Sequence, residues 1–358
     1  MSRNCIKSFF ATLLILISIV EVNANAGGGV YRFLNLPFNA KLAGLGGENV
    51  SVRSDDVNQI YTNPALLSSS LNSKISLSYV NYLADANGGM ASYSYALDSL
   101  NYFGFNFLFM GYGHMDGYDR NGVETEEFSA GDFAWNLVYA RYLGADITVG
   151  LAMKPVYSHI ENYSSFGLGF DVGANYYKKE WDFSVGLSVR NFGFRFTDYY
   201  DDQGTERLPW NIQLGLSKGL EHAPFRFSVT YDHLNDWSLD YKRPKKTSSL
   251  MSLDEKEKDL NEIKFADMLF RHLVFGVEVM IGKKFHFDMA YNHRRNREYT
   301  LSEARGLNGF SFGAGLKVYK FNLDAAYAKY APAGGTFTLS LSSSIDSFKK
   351  NEKDNNSH

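Results

Sequence analysis

The residues that could do chemistry are few in this 358-residue chain. His114, Asp116 and Asp119 lie close together, but a membrane hydrolase would need a His and an Asp converging with a nucleophile, and this motif is too weak to read so. Ser347-x-x-Lys350 has the spacing of an acylating serine, yet it stands in a polar tail where no packed fold could activate the hydroxyl. His114, His159, His233 and His293 have no partner at metal-ligand spacing. No enzyme, metal or cofactor is expected. A different set stands out: Lys154, Asp171, Arg190, Arg226, Glu278, Asp288, Lys317 and Asp324 are charges set into the alternating apolar runs. Side chains alternate along a strand, so all eight fall on the face opposite the apolar one. They are expected to pair with each other and with Arg32, Arg53, Asp55 and Asp56 upstream, because a buried charge needs a partner. The other use of such a face is a polar translocation or ligand path.

The elements that position these charges are strands. Phe166-Gly167-Leu168-Gly169-Phe170-Asp171-Val172-Gly173-Ala174-Asn175-Tyr176 alternates bulky apolar with small or polar residues throughout. The same rhythm runs from Ile75/Leu77/Tyr79 to Phe337/Leu339/Leu341. A bulky face repeated strand after strand suits lipid, and a Gly/Ser/Asn face suits the inside of a closed barrel. The reading is all-β: a transmembrane antiparallel β-barrel of about fourteen strands, an even number as closure requires. Every second connection is short (98–99, 144–145, 178–180, 219–223, 282–283, 318–320). Those between are mostly long: 113–131, 157–165, 194–208, 238–269 and 292–308. Short periplasmic turns and long extracellular loops produce this asymmetry. Gly167, Gly169 and Gly173 are expected to let another backbone approach the inner wall.

Aromatic residues at 16% and 32 glycines are high for any chain, 7 prolines are few, and the net charge of -3 offers no basis for nucleic-acid binding. Arg3, Lys7, the apolar run to Val20 and Ala24-Asn25-Ala26 form an export signal over 1–26. Cys5, the only cysteine, lies within it. Residues 27–72 lack the strand pattern and are punctuated by Pro37, Gly46-Gly47 and Asn63-Pro64-Ala65, with a short helix expected near 54–60. Before a barrel they read as a hatch in its lumen. The barrel spans 73–345, and 346–358 is a polar tail on the periplasmic side. In 238–269, Ser252 to Glu255 matches a capping box, with Leu260, Ile263 and Asp267 at helical spacing. The large loops would offer Tyr118, Phe128, Tyr199, Tyr200, Met251 and Leu253 to a partner.

The run Tyr31-Arg32-Phe33-Leu34-Asn35-Leu36-Pro37-Phe38, then Gly44 to Gly47, Asp55-Asp56-Val57 and Asn63-Pro64-Ala65-Leu66-Leu67, resembles the PorV/PorQ group of FadL-like barrels of the Bacteroidetes type IX secretion system. The Tyr-x-Phe-Leu-x-Leu-Pro opening is most similar to the PorQ side of that group. The resemblance implies a hatched fourteen-stranded barrel in a surface attachment complex. It would anchor a PorZ-like surface protein, alongside PorU- and PorV-like members, and join cargo to lipopolysaccharide. The alternative is a FadL-like diffusion channel for a hydrophobic small molecule. A channel should have an apolar pocket beside the hatch; an anchor should have large loops and a plugged lumen.

Overall fold

The computed structural model describes residues 30–348 apart from 84, 120, 198–205, 240–264, 283, 300–306 and 332–333. Fourteen strands follow in chain order. They are β1 (Lys74–Asn81), β2 (Asn87–Ala96), β3 (Asn101–Met115), β4 (Phe128–Gly144), β5 (Ile147–Ile160), β6 (Tyr163–Lys178), β7 (Phe183–Arg195), β8 (Asn211–Gly219), β9 (Phe225–Tyr231), β10 (Leu273–Ile281), β11 (Phe285–Asn292), β12 (Phe310–Val318), β13 (Phe321–Ala331) and β14 (Gly334–Ser344). Each pairs with its sequence neighbours, and β1 pairs antiparallel with β14, which closes the barrel.

Burial is inverted relative to a water-soluble protein. Leu77 and Leu151 are 54% and 56% exposed on the outer face, whereas Lys154, Asn106, Asn136 and Gln213 are fully buried inside. Hydrocarbon solvates the first set, and closure satisfies every ladder hydrogen bond within the wall. The wall is uneven in height. Strands β3 to β7 hold 13–17 residues and β8 to β14 hold 7–11.

That height corrects two sequence boundaries. The 157–165 connection is not long: β5 and β6 pair as far as Ile160 and Tyr163, and Glu161 turns the chain with φ 54. Phe128 is a half-buried strand residue paired with Met115, not a loop residue. Beyond the lipid both faces of a hairpin can be polar, so the alternation fades while backbone pairing continues. At the other end the turns are tight; Asp98 accepts from the backbone N–H of Leu100 and Asn101, each at 2.7 Å.

Residues 30–72 lie inside the barrel as a chain of short turns, three of them started by an Asx cap. Asn39 accepts from Leu42 N to open α1 (Ala40–Gly44); Asp56 accepts from Asn58 N and Asn63 from Ala65 N before 3-10 turns over Val57–Tyr61 and Pro64–Leu66. Side-chain oxygens thus take up backbone donors that no sheet could reach. Gly46 and Gly47 reverse the chain at φ +92 and +83, where a Cβ is strained.

Two helices cap the long-loop end, α2 (Phe265–Arg271) and α3 (His293–Tyr299). The helix expected from Ser252 falls largely outside the described residues; its described part begins only at Phe265. The start of the tail is folded: the Phe348 ring lies 5.8 Å from that of Phe321, and Asn72 donates to Asp346 at 3.2 Å.

Candidate functional site

Two apolar and two ionic zones hold the inner segment, here called the plug, against the wall; one apolar zone is Val57, Ile60, Leu67 and Leu71 on Tyr102, Val138, Ala140 and Ala152. The other lies in the long-loop half. Tyr31, Phe33, Leu34, Phe38 and Tyr61 pack on Met90, Leu108, Met110, Ala134 and Val156 from the inner faces of β2 to β5. Phe38 meets Phe33 and Tyr61 edge to face at 6.4 and 6.5 Å. The Tyr31 hydroxyl is 2.9 Å from Ser165 Oγ. Sequence reasoning missed this apolar inner patch. Its signal is the run Phe107-Leu108-Phe109-Met110, apolar on both faces where the rest of the wall alternates.

In the first ionic zone, Lys154 and Asp171 are both buried and form an ion pair at 2.6 Å. Asp171 also accepts from Asn191 N at 2.7 Å, and Lys154 donates to Asn191 Oδ1 at 2.9 Å. Asn191 has φ 55 at a bulge between β6 and β7, which turns its amide inward. The Tyr61 ring lies 4.6 Å from the Lys154 ammonium and 5.2 Å from the Arg190 guanidinium. Its hydroxyl donates to the Leu34 carbonyl at 2.6 Å, joining both halves of the plug. Arg190 lies 3.7 Å from Glu48, which also accepts from Gln213 at 2.6 Å.

The second ionic zone faces the short-turn end. Lys41 of α1 bridges Glu278 and, at 3.2 Å, Asp288. Arg226 binds Glu278 and Asp182, each at 2.9 Å, and His286 lies 3.3 and 3.2 Å from Asp288 and Asp324. Glu278, His286 and Asp288 are near enough to share a metal ion. The Lys41 ammonium already supplies the positive charge there. Lys317 is exposed and lines the cavity below.

The hatch charges named from sequence do not pair with the eight inner charges. Arg32 is exposed. Asp55 pairs with Lys74 at 3.2 Å, and Asp56 caps its own turn. Arg53 stacks 4.5 Å over the Tyr177 ring. Lys41 and Glu48 do the neutralising instead. They flank the Gly44–Gly47 bend, which carries their side chains to opposite parts of the wall.

The turn motif is seated by small residues. Asn63 donates to Val50 O at 2.9 Å and to Ala174 O at 3.4 Å. A Cβ on Gly150 would lie 2.5 Å from the Pro64 carbonyl carbon, and one on Gly173 would collide with Asn63 and Pro64. Gly167 faces the Tyr31 ring, whereas Gly169 faces Leu208 of the β7–β8 connection rather than the plug. Pro37, Ala65 and the Gly46-Gly47 pair are buried. Of the loop residues named for a partner, Tyr118 is 63% exposed on the β3–β4 connection. Tyr199, Tyr200, Met251 and Leu253 lie outside the described residues. Nearby, Asp119 accepts from Asn121 N and Val123 N, at 2.8 and 2.9 Å, so its carboxylate serves a turn.

Below the plug a cavity of about 860 Å³ opens among the short turns, lined mostly by polar and charged side chains.

A fourteen-stranded closed barrel with an inverted polar–apolar distribution is a fold shared with outer-membrane barrels of Gram-negative bacteria. The chain is similar to a mutant of the TodX monoaromatic hydrocarbon channel (TM-score 0.54, 11% identity, 86% of this chain and 98% of that one). It is also similar to a FadL homologue of Pseudomonas aeruginosa (0.50, 12%, 86% and 98%) and to the Pseudomonas putida toluene transporter TodX (0.52, 10%, 86% and 97%). At such identities the likeness is one of fold. No protein-family model and no curated protein matches the chain.

Proposed function

We propose that the chain is a non-enzymatic outer-membrane channel for a hydrophobic small molecule, held shut by its N-terminal plug. In this orientation the short turns face the periplasm and the long loops face outward. One observation carries the reading: the inner wall turns apolar where β2 to β5 meet Phe33, Leu34 and Phe38. A second apolar cluster, Val57, Ile60, Leu67 and Leu71 on Tyr102, Val138, Ala140 and Ala152, continues along β3 to β5, and the rest of the plug rests on serines, asparagines and ion pairs. An apolar inner patch whose occupant is the chain's own aromatic segment is a place an apolar solute could take if that segment moved aside. That structures of the same fold include a monoaromatic hydrocarbon channel and a toluene transporter supports the reading.

The test is naphthalene uptake by cells with an intact lipopolysaccharide layer. Deleting the protein should slow uptake, and Phe38→Ala, which thins the plug at the apolar patch, should speed it several-fold. Unchanged uptake in both strains, with the barrel still heat-modifiable on gels, would sink the channel.

A second reading is the surface anchor that the resemblance to the PorV/PorQ group implies, with a PorZ-like partner and PorU- and PorV-like neighbours. It is favoured by Tyr118 and Val123, 63% and 61% exposed on the β3–β4 connection above the taller wall. A mild-detergent pull-down that retains a surface protein, and loses it on Tyr118→Ala, would replace the channel with the anchor.

A further inference from the structure

The cavity at the short-turn end has a charge pattern that the plug does not explain. Among the described residues every carboxylate lining it already has an ion-pair or hydrogen-bond partner. Asp55 has Lys74, Asp146 has Lys178 at 3.0 Å, Glu278 has Lys41 and Arg226, and Asp324 has His286. Asp56 accepts from Asn58 N and from Asn39 Nδ2, at 3.0 and 3.2 Å. The cations are in excess. Arg53, Lys179, Lys284 and Lys317 line the same cavity, and none has a carboxylate within ion-pair distance among the described residues.

Arg53 is the informative member. It is half-buried, so its guanidinium has lost part of its water. The guanidinium makes one long bond to a neutral group, Nη1 to Asn175 Oδ1 at 3.3 Å, and lies 4.5 Å from the Tyr177 ring centroid. A guanidinium has five N–H donors in a planar fork that matches a carboxylate or phosphate. The bond to Asn175 and the ring contact are the hydrogen-bond, ion-pair and ring contacts of that fork among the described residues, which leaves most of its donors for a ligand. The backbone is fixed too: Arg53 O accepts from Arg226 Nη1 at 3.4 Å. Tyr102 borders the same space. A volume of about 860 Å³ lies within the range of small-molecule sites.

We propose that this vestibule is a binding site for a small organic anion. Its carboxylate or phosphate group would sit on the Arg53 fork, and its ring or body against Tyr102 and Tyr177. Lys179, Lys284 and Lys317 surround the opening and attract the anion from solution. The site goes beyond the channel reading and is formed with the plug seated, since Arg53 belongs to the plug.

The experiment is titration calorimetry on the full barrel in non-ionic detergent with benzoate, phenyl phosphate, benzyl alcohol and inorganic phosphate. At least one of the two organic anions should bind saturably and more weakly as salt is raised. Benzoate and phenyl phosphate decide between a carboxylate and a phosphate ester as the preferred group. Arg53→Gln should weaken binding about tenfold or more, the loss of a charge-assisted hydrogen bond, and Arg53→Lys should restore part of it. Heat-modifiability on gels checks that each variant is folded. If Arg53→Gln fails to assemble, the exposed pair Lys284→Gln with Lys317→Gln gives the answer, and it should weaken binding and flatten its salt dependence. The site is overturned if neither organic anion binds, or if benzyl alcohol binds as tightly. It is equally overturned if folded Arg53→Gln, or the lysine pair when that variant is the one tested, binds like the parent. Inorganic phosphate binding as tightly as the ring-bearing anions would overturn an organic ligand.

Discussion

Lys154 and Asp171 show what single residues do in this barrel. Both side chains are wholly inaccessible to solvent and lie 2.6 Å apart. Removing one partner leaves a buried charge uncompensated, a loss of about 3–5 kcal/mol, whereas replacing both removes the problem with the pair. Lys154→Met should therefore lower the urea midpoint of the heat-modifiable form sharply. Adding Asp171→Asn, which keeps an oxygen for Asn191 N, should recover much of the loss. An unchanged midpoint in the single variant would show that the pair bears no weight. Gly150 is the steric counterpart. Gly150→Leu drives a side chain into the Pro64 backbone, overpacking that costs about 1–3 kcal/mol or more. Leu151→Ala trims a side chain that faces lipid and should cost much less. Equal gel-shift temperatures for the two would contradict this seating of the plug.

At the scale of elements, α2 and α3 form a platform where the long connections leave the barrel. Asp267 ties it together, binding Arg271, His293 and Arg297 at 2.9, 3.1 and 2.8 Å. Partial burial pushes the Asp267 carboxyl up, but hydrogen bonds from His293 and Arg271 outweigh it and hold the group below its ordinary value. A depressed carboxyl stabilises the fold fully above its unfolded value of about 3.9 and stops doing so as pH falls through the lower folded value. Protease resistance of the 265–299 region should thus persist from neutral pH to about 5 and fall below about 4. Asp267→Asn should remove that acid transition. A variant with the parent's acid profile would assign the transition to other groups.

For the whole molecule, the path of the plug sets what an assembled barrel exposes. Val30 N donates to Arg207 O at 3.3 Å in the β7–β8 connection, so the first described residue sits at the long-loop end. The plug then descends past both ionic zones to Arg53 at the short turns before β1 begins. A tag placed just after Ala26 should therefore be reached by antibody from the same side as a tag near Ser249 in the 238–269 connection. In the proposed orientation both are reached on intact cells. Labelling of the first tag only after permeabilisation would mean that the mature N-terminus turns back through the lumen. Labelling of both only after permeabilisation would reverse the orientation.

The fold class was legible from sequence because lipid imposes a rule with period two. Phe103, Phe105, Phe107 and Phe109 face one solvent while Gly104 and Asn106 face the other, and the connections at one end are all short while several at the other end are long. That rule weakens where the solvent changes, which is why Phe128 and the 157–165 turn were placed in loops. The short turn expected near 54–60 is also legible, since its Asp56 cap is local chemistry. Pairing across the lumen is not. Lys41 meets Glu278 and Asp288 more than two hundred residues further along the chain, and Glu48 meets Arg190 on another wall. Which acid neutralises which base depends on where the Gly44–Gly47 bend aims the plug, a result of three-dimensional closure. The same holds for the apolar patch under Phe38 and for the excess of cations around Arg53. Each is assembled from segments far apart in sequence, whose proximity exists only once the barrel has closed around its own N-terminus.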